Sequence, residues 1–291
     1  MKTRLTRLAI TTVLSCTAVA ASAQEAGNSE TTPPAYEGSV FDGDWVSVGA
    51  GAVYSPSYDG SDDYVISPIP IVQGNLGGIG INPRPGGLAL DFIPDEDGSV
   101  AFSAGVAAKI NRNRASQIKD PVVKQYGKLD TAIEVGPALG VKFPALLNPY
   151  DSLSFNVDVL WDVAGAHNGM TINPSVTYFT PLSRGVAASL SVSAGHVDDD
   201  YADYYYSVPA LTTLAPEDTL PAYNADGGFD SAGVNLFVAA DLDGDVTNGG
   251  LAIIFLGGYA SMLGDAKRTP FTAIRGDADQ WMAAAGIGYT F

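Results

Sequence analysis

Few side chains in this sequence could act together as acids, bases or nucleophiles. The chain has two histidines, His167 and His196, and one cysteine, Cys16. His196 lies three residues after Ser193 and two before the aspartates at 198–200, which is the mixture of hydroxyl, base and acid used for proteolysis or lipid hydrolysis. Such chemistry requires hydrogen-bond contact between nucleophile and base, which this spacing does not establish. We therefore expect no enzyme and no cofactor.

Acidic segments could instead bind divalent cations. Asp241, Asp243 and Asp245 are arranged like the start of a calcium loop, but Ala252 occupies the place of the bidentate glutamate that such a loop needs. The segments 59–63 and 198–200 carry more aspartates, which could hold Ca²⁺ or Mg²⁺ shared with lipopolysaccharide phosphates. Solvated loop charge explains these segments more simply, so no metal site is predicted.

The strands that would position these groups can be predicted from apolar residues that recur at every second position. Apolar side chains alternate with small or polar ones over segments of about ten residues, the pattern of strands with one apolar face. In one segment the apolar members are Leu153, Phe155, Val157, Val159 and Trp161. Such segments are predicted at 45–54, 64–72, 76–82, 87–92, 99–110, 129–143, 152–162, 169–179, 186–195, 231–241, 250–261 and 280–291.

The repeated alternation predicts an all-β fold, a transmembrane antiparallel up-and-down β-barrel. About 12 strands are expected, with 10 as the alternative, and both termini periplasmic. A soluble barrel or sandwich would turn its apolar faces inward. Here the opposite faces are rich in Gly, Ala, Ser and charge, which suits a hydrated lumen. The links 111–128, 196–230 and 262–279 are long and polar and would lie outside the cell, whereas 180–185 is a tight inner turn.

Six charged residues are predicted to face that lumen. They are Lys109, Asp130, Glu134, Lys142, Asp158 and Asp162. Burial of unpaired charge is costly, so these groups must pair with one another or contact water. Two interpretations remain open, an interior ladder of ion pairs or a polar permeation path. Twelve strands make a barrel narrower than the general porins, so a wide open pore is not expected.

Aromatic residues form two further predicted groups. One lies in the long link 196–230 and could plug the lumen or bind a partner; its members are Tyr201, Tyr204, Tyr205, Tyr206 and Tyr223. The other would form girdles at the membrane interfaces; its members are Trp161, Trp281, Tyr289 and Phe291.

The beginning of the chain reads as an export signal. Lys2, Arg4 and Arg7 precede the apolar run 8–20, and Ala21, Ser22 and Ala23 form a cleavage site. We expect a signal peptide at 1–23, a flexible periplasmic segment at 24–44 and the barrel at 45–291. The formal net charge of −17 becomes −20 without the three basic residues of the signal. This acidity excludes a nucleic-acid partner, which would require a basic patch.

Four stretches spread over the chain carry a family resemblance. The first contains Pro56, Tyr58, Gly60, Ser61 and Asp62, followed by Pro68 and Pro70. The second contains Tyr205, Tyr206, Val208 and Tyr223, and the third contains Gly264, Asp265, Ala266 and Pro270. The fourth is the ending with Gly286, Gly288, Tyr289 and Phe291. In this order they resemble the MipA/OmpV family of outer-membrane proteins, the MltA-interacting proteins.

The resemblance implies a non-enzymatic barrel in the outer membrane of a Gram-negative envelope. Within that family, one member resembles a scaffold joining a murein transglycosylase to a murein synthase. We therefore expect a scaffold for cell-wall (peptidoglycan) enzymes, with a narrow channel for small solutes or a surface adhesin as alternatives. Outer-membrane lipid and lipopolysaccharide are expected to surround the barrel, and the barrel-assembly machinery to recognise Phe291.

Overall fold

The computed structural model describes residues 39–93, 100–211 and 214–291. The signal peptide predicted at 1–23 and most of the flexible segment predicted at 24–44 lie outside these residues. Of that segment, Val40–Asp42 forms a short 3-10 helix capped by Ser39, and Phe41 is buried. Across the described ranges, no helix is both long enough and apolar enough to cross a membrane.

Twelve strands close into one antiparallel barrel, which confirms the predicted fold class and strand number. In chain order they are β1 (Trp45–Pro56), β2 (Tyr64–Leu76), β3 (Ile79–Arg84), β4 (Gly87–Asp91), β5 (Ala101–Asn111), β6 (Ala132–Pro144), β7 (Ser152–Asp162), β8 (Met170–Ser183), β9 (Val186–Val197), β10 (Gly228–Asp241), β11 (Gly250–Met262) and β12 (Asp279–Thr290). β1 pairs with β12 from Ser47 opposite Thr290 to Tyr54 opposite Ala283, which closes the cylinder.

The helices all lie in the links between strands. They are α1 (Pro121–Gln125), α2 (Asp199–Tyr206), α3 (Gly264–Arg268), α4 (Pro270–Ala273) and a 3-10 turn at Pro216–Asp218. The links 57–63, 112–131, 163–169, 198–227 and 263–278 share one end of the barrel, here called the loop end. The opposite end, where β1 begins and β12 ends, is called the terminal end and carries the turns 77–78, 145–151, 184–185 and 242–249.

The outer surface carries the apolar face that the alternation predicts. Ile66, Phe102 and Trp281 are 70%, 63% and 62% exposed, although they are large and hydrophobic. The 12 residues of β1, at ~3.3 Å each and tilted by about 40°, rise roughly 30 Å, the thickness of a bilayer's hydrocarbon core. Exposed apolar side chains on elements of this length match lipid as the surrounding solvent.

Two predicted strands have boundaries that differ from those in the structure. The segment 76–82 includes a turn, because Gly77 and Gly78 both have positive φ (59° and 81°) and connect β2 to β3 as a two-residue hairpin. β6 begins at Ala132 rather than at 129. Asp130 therefore belongs to the preceding link and is exposed, so its predicted place on a lumen-facing strand was wrong.

The ladders around β3 and β4 are shorter than the others, and the ladder between β2 and β3 is the shortest. β1 and β2 pair over 12 residues, from Trp45 opposite Asn75 to Pro56 opposite Tyr64. β2 and β3 pair over three, from Gly74 opposite Ile81 to Leu76 opposite Ile79. β3 and β4 form a hairpin, and the other edge of β4 pairs with β5. The hairpin is therefore attached to β5 over a longer stretch than to β2.

Candidate functional site

The lumen at the loop end is covered by a tyrosine cap built on α2. We define this cap as Tyr201, Tyr205 and Tyr206, packed with Ala202, Met262 and Ala266. All three tyrosines are at most 4% exposed, whereas Tyr204 and Tyr223 are half-buried at its edge. The rings of Tyr201 and Tyr205 lie 4.6 Å apart, and those of Tyr204 and Tyr205 4.9 Å apart.

Aspartates from the acidic run fix this helix in place. Asp198 is the N-cap of α2: its Oδ1 accepts from the Tyr201 N–H at 3.0 Å, and its Oδ2 accepts from the Met170 N–H at 2.8 Å. Asp199 accepts from the Gly227 N–H at 2.8 Å. The structure thus uses two of these carboxylates for local backbone hydrogen bonds that anchor the link 198–227.

The buried phenols of Tyr201 and Tyr206 stay protonated. Burial, with the Asp230 charge beside it, raises the pKa of Tyr201 and of Tyr206 well above the ordinary range. The Tyr206 hydroxyl donates to Asp230 Oδ2 at 2.9 Å. Tyr201 accepts from the Asn111 amide at 3.2 Å, which ties the cap to β5.

The first family motif meets the end of the link 263–278, just before β12. Tyr58 is buried, and Ser61 forms a bridge with Gly276. Gly60 has φ 91°, and its carbonyl accepts from the Asp277 N–H at 3.0 Å. A Cβ on Gly276 would lie 1.7 Å from that carbonyl oxygen, so this close approach requires glycine.

The third motif supports the cap from the other side. Ala266 is 1% exposed against the tyrosines, and the hydroxyl of Thr269 donates to the Tyr206 carbonyl at 2.6 Å. Asp265 accepts from the Asp226 N–H at 2.7 Å and pairs with Arg268. Pro270 is a buried first residue of α4, and Gly264 takes φ 49° at the start of α3.

A fully buried carboxylate, Glu134, joins the wall to the cap. Its Oε1 accepts from Asn111 at 2.9 Å and lies 3.5 Å from His167 Nε2, and its Oε2 lies 3.3 Å from Lys109 Nζ. His167 Nδ1 accepts from the Gly169 N–H at 3.0 Å, so the ring proton is on Nε2, facing Glu134. The His167 ring contacts Tyr201 with a centroid distance of 4.9 Å.

The remaining predicted lumen charges, Asp158, Asp162 and Lys142, lie in three different environments. Asp158 pairs with Arg84 at 2.7 Å, across the inside of the barrel from β7 to β3. Asp162, at the end of β7, accepts from the N–H groups of Ala164, His167 and Asn168. These hydrogen bonds stabilise the link 163–169. Lys142 lines a small cleft beside β5 and β7.

Several groups at this site carried no signal in the sequence. Arg114 is 5% exposed, its guanidinium lies 4.2 Å from the centre of the Phe271 ring, and burial lowers its pKa to about 10. Arg84, His167 and Asp230 likewise contact residues that are distant in the sequence. Their partners are Asp158, Glu134 and Tyr206. No local pattern could identify them, because each pairing joins different strands or links.

A chamber of about 350 Å³ lies between the cap and the barrel wall. Its lining mixes charges, amides and aromatics, including Asp59, Lys109, Asn235, Gln280 and the cap tyrosines Tyr201 and Tyr206. Asp59 faces the chamber, and its surface is exposed there although protein surrounds the chamber. Desolvation by the surrounding protein and the nearby Asp230 charge raise its pKa to about 6.

The terminal end of the lumen is filled by an apolar plug. We define this plug as Phe41, Trp45, Phe179, Phe237 and Ile254, with Ala187, Ala239 and Val246. These residues come from the N-terminal 3-10 helix, from β1, β8, β9, β10 and β11, and from the turn 242–249, so they meet across the interior. Phe41 packs edge-on against Trp45 with a centroid distance of 4.8 Å.

The predicted girdle aromatics point outward. Trp161, Trp281, Tyr289 and Phe291 are 45–63% exposed. Trp281 contacts Tyr259 near the loop end, and Tyr289 contacts Phe291 near the terminal end.

The histidine considered for hydrolysis does not meet its nucleophile. His196 and Ser193 are three residues apart on β9 and therefore face opposite sides of the strand. The His196 ring packs against Phe229 instead, at 5.3 Å. In the turn 242–249, Asp241 Oδ1 accepts from the N–H groups of Asp243, Gly244 and Asp245 and so stabilises that turn. Among the described residues no cluster of His, Cys, Asp and Glu is arranged to hold a metal ion.

Solved structures with a similar fold include three outer-membrane proteins of low identity. The first is an outer membrane channel from Pseudomonas putida, with 13% identity, TM-score 0.45, and coverage of 86% of this chain and 96% of that one. The second is the toluene transporter TbuX from Ralstonia pickettii, with 10% identity, TM-score 0.34, and coverage of 85% and 89%. The third is OprD from Pseudomonas aeruginosa, with 12% identity, TM-score 0.27, and coverage of 88% and 95%.

The family model described as "MltA-interacting protein MipA" matches residues 48–291. No match to this chain was found among the curated proteins. The family match begins within β1 and includes every later strand and every element of the cap. The chain therefore belongs to the MipA family of outer-membrane β-barrel proteins.

Proposed function

We propose that this barrel lies in the outer membrane as a non-enzymatic interaction protein for cell-wall enzymes, with its terminal end in the periplasm. The observation that carries the proposal is the double closure of the lumen by the tyrosine cap and the apolar plug. A barrel that is filled at both ends is better suited to presenting surfaces than to passing solutes. The name of the family, MltA-interacting protein, points to a murein transglycosylase as the kind of partner.

The turns of the terminal end offer a surface for such a partner. Leu147, Leu182 and Leu242 are 77%, 63% and 57% exposed and lie on or beside the turns 145–151, 184–185 and 242–249. These turns follow one another around the rim. Exposed leucines grouped on one rim are typical of a protein contact, because isolated loops usually present polar residues.

Site-specific photo-crosslinking in intact envelopes tests this proposal. A photoreactive residue at Leu147, Leu182 or Leu242 should capture a murein transglycosylase or synthase. The matched control is Ile274, which is also exposed (56%) but lies at the loop end. Capture of murein enzymes equally at Ile274, or of lipid alone at all three leucines, would contradict the proposal.

A gated channel for small solutes is a second candidate, favoured by the chamber. Its charged and amide lining could hold a polar solute between two closures that open in turn. Reconstituted protein should then conduct in steps, and Lys109→Glu should change the ion selectivity. Bilayers that remain silent at all voltages would remove this candidate.

A further inference from the structure

The barrel wall has a break beside β2. Within the described residues, β2 pairs with β3 only at 74–76, and no strand pairs with the remaining residues of β2 on that side. The β3–β4 hairpin turns at 85–86 next to β5, where the Ile110 N–H donates to the Gly86 carbonyl. A notch therefore lies between the loop-end part of β2 and this hairpin.

The hydrogen-bonding direction of β2 can be derived from its neighbours. The Phe291 N–H donates to the Val46 carbonyl, so even-numbered residues of β1 face β12 and odd-numbered ones face β2. In the β1–β2 register, odd-numbered residues of β2 then face β1 and even-numbered ones face the notch. Pro68 and Pro70 are even-numbered, so the two missing N–H groups lie on the open edge.

These prolines decide what can occupy the notch. An added β-strand would need N–H donors along the edge, and proline supplies none. Two successive notch-facing positions of β2 thus cannot donate to another strand. The edge is blunted against a protein strand, whereas an apolar molecule needs no donors from it.

The notch lies at the depth of the hydrocarbon core. The Tyr54 and Tyr64 rings stack at 5.0 Å on the outer surface near the loop end, beside the other aromatic pair, Tyr259 and Trp281. The unpaired edge lies between that level and the terminal end. Its outward residues Ile66 and Val72 are 70% and 42% exposed, as expected for contact with lipid tails.

Most side chains on the inner face of β2 beside the notch are apolar as well. The odd-numbered residues of β2 face the lumen; of these Val65, Ile69 and Ile71 are apolar, and Ser67 and Gln73 are polar. Gly51 and Gly49 of β1 lie opposite Ile69 and Ile71. Ile71 packs against the apolar plug. An apolar surface therefore continues from the membrane, through the notch, to the plug.

A short segment of the link 112–131 closes the loop end of the notch. Gln117 donates to the Ser67 hydroxyl at 3.4 Å, and Lys119 Nζ donates to the Tyr64 carbonyl. Arg114 and Gln117 have φ of 54° and 60°, which residues other than glycine rarely adopt. In the described part of the chain, this segment bonds to β2 through the side chains of Gln117 and Lys119 and forms no backbone ladder with it.

We propose that the notch is a lateral binding site for an acyl chain of a bilayer lipid, which enters through the wall and contacts Ile69 and Ile71 from within. The occupant is an aliphatic chain because the edge lacks two N–H donors at Pro68 and Pro70, and because most side chains beside it, inside and outside the wall, and the plug beyond are apolar. The site is independent of the proposed role in binding cell-wall enzymes.

Electron paramagnetic resonance of single-cysteine variants in lipid bilayers tests this site. Ile69→Cys carries a nitroxide on the inner face at the notch, and Val53→Cys carries one on the inner face of β1, between two complete ladders. Ile66→Cys is the outward reference. We expect the collision rate with oxygen at residue 69 to be severalfold above that at 53 and close to that at 66, with low access to a water-soluble nickel reagent.

Phospholipid with deuterated acyl chains identifies the occupant. Deuterium modulation of the label at 69, and none at 53, supports an inserted chain. Equal oxygen access at 69 and 53, or dominant nickel access at 69, would overturn the proposal, because the wall would be closed or open to water. If Ile69→Cys does not fold, Val65→Cys provides the same measurement from another apolar position on the inner face of β2.

Discussion

The two ends of the barrel are closed by different chemistry. The cap at the loop end depends on hydrogen bonds and buried charges at the barrel wall, where Glu134 of β6 and Asp230 of β10 are the acceptors. The plug at the terminal end is a cluster of side chains such as Phe179 and Phe237, which gain stability from apolar burial. The cap must therefore respond to charge and pH, and the plug to side-chain volume.

The two ends should also differ in how well they tolerate substitution. A buried charge tolerates little displacement, because losing one partner leaves another without compensation. An apolar cluster tolerates substitutions that conserve volume. We expect the cap to be the end that switches and the plug to be the end that holds the barrel together.

Loss of Glu134 should have the largest effect on the cap. Glu134→Ala leaves Lys109 and the Asn111 amide without their acceptor, and should lower the free energy of unfolding by about 3–5 kcal/mol. The near-ultraviolet circular dichroism of the tyrosines and the rate of proteolysis within 198–227 would report loss of the cap. Glu134→Gln, which keeps the volume, should lose less. A Glu134→Ala protein as protease-resistant as the wild type would contradict a charge-based cap.

Truncation in the plug should cost a similar or slightly smaller amount, without disturbing the cap. Phe237→Ala removes a ring that is 7% exposed and should destabilise by about 3 kcal/mol. Trp45 fluorescence should change, while tyrosine dichroism stays the same. Phe237→Leu is the matched control and should lose about 1 kcal/mol. Loss of the tyrosine signal in Phe237→Ala would show that the two closures are one cooperative unit.

A weaker, local effect is expected at Asp120. Its Oδ1 accepts from the N–H groups of Val122 and Val123, and its Oδ2 accepts from Arg275 at 2.7 Å. Asp120→Asn keeps the helix cap and loses the charge pair, which should cost about 1 kcal/mol because Arg275 is partly exposed. Asp120→Ala loses both and should expose 112–131 to protease. Identical protease sensitivity of the two variants would contradict this division of roles.

The smallest effect should be a pH dependence at Asp59. Its pKa of about 6 in the folded protein exceeds its ordinary value of 3.8, so the folded state binds this proton more tightly. Ionisation of Asp59 therefore destabilises the cap as pH rises from about 4 through 6. Asp59→Asn should raise the melting temperature more at pH 7.5 than at pH 5. An equal increase at both pH values would refute the assigned shift.

The strands could be predicted because their signal is local. Alternation along 152–162 or 186–195 needs no knowledge of distant residues, and the twelve strands and their outward aromatics followed from it. Boundaries failed where turn chemistry was overlooked, as at Gly77 and Gly78, which end β2. At the start of β6 the apolar period was extended three residues too far, which placed Asp130 in the strand.

The site could be predicted much less well, for a physical reason. Arg84 meets Asp158, and Asn111 meets Tyr201, across 74 and 90 residues of chain. Such pairs depend on barrel closure and strand stagger, which leave no trace in the spacing of either partner. The plug was overlooked because Phe179 and Phe237 read as ordinary strand residues, and only their common level inside the barrel brings them together.

Single-channel recording in planar lipid bilayers tests the central claim, the double closure, most directly. Wild-type protein should produce no conductance steps at any voltage, and neither should Glu134→Ala or Phe237→Ala alone, because one closure remains in each. The variant that combines both substitutions should conduct. Frequent, stable steps from the wild-type protein would contradict the account.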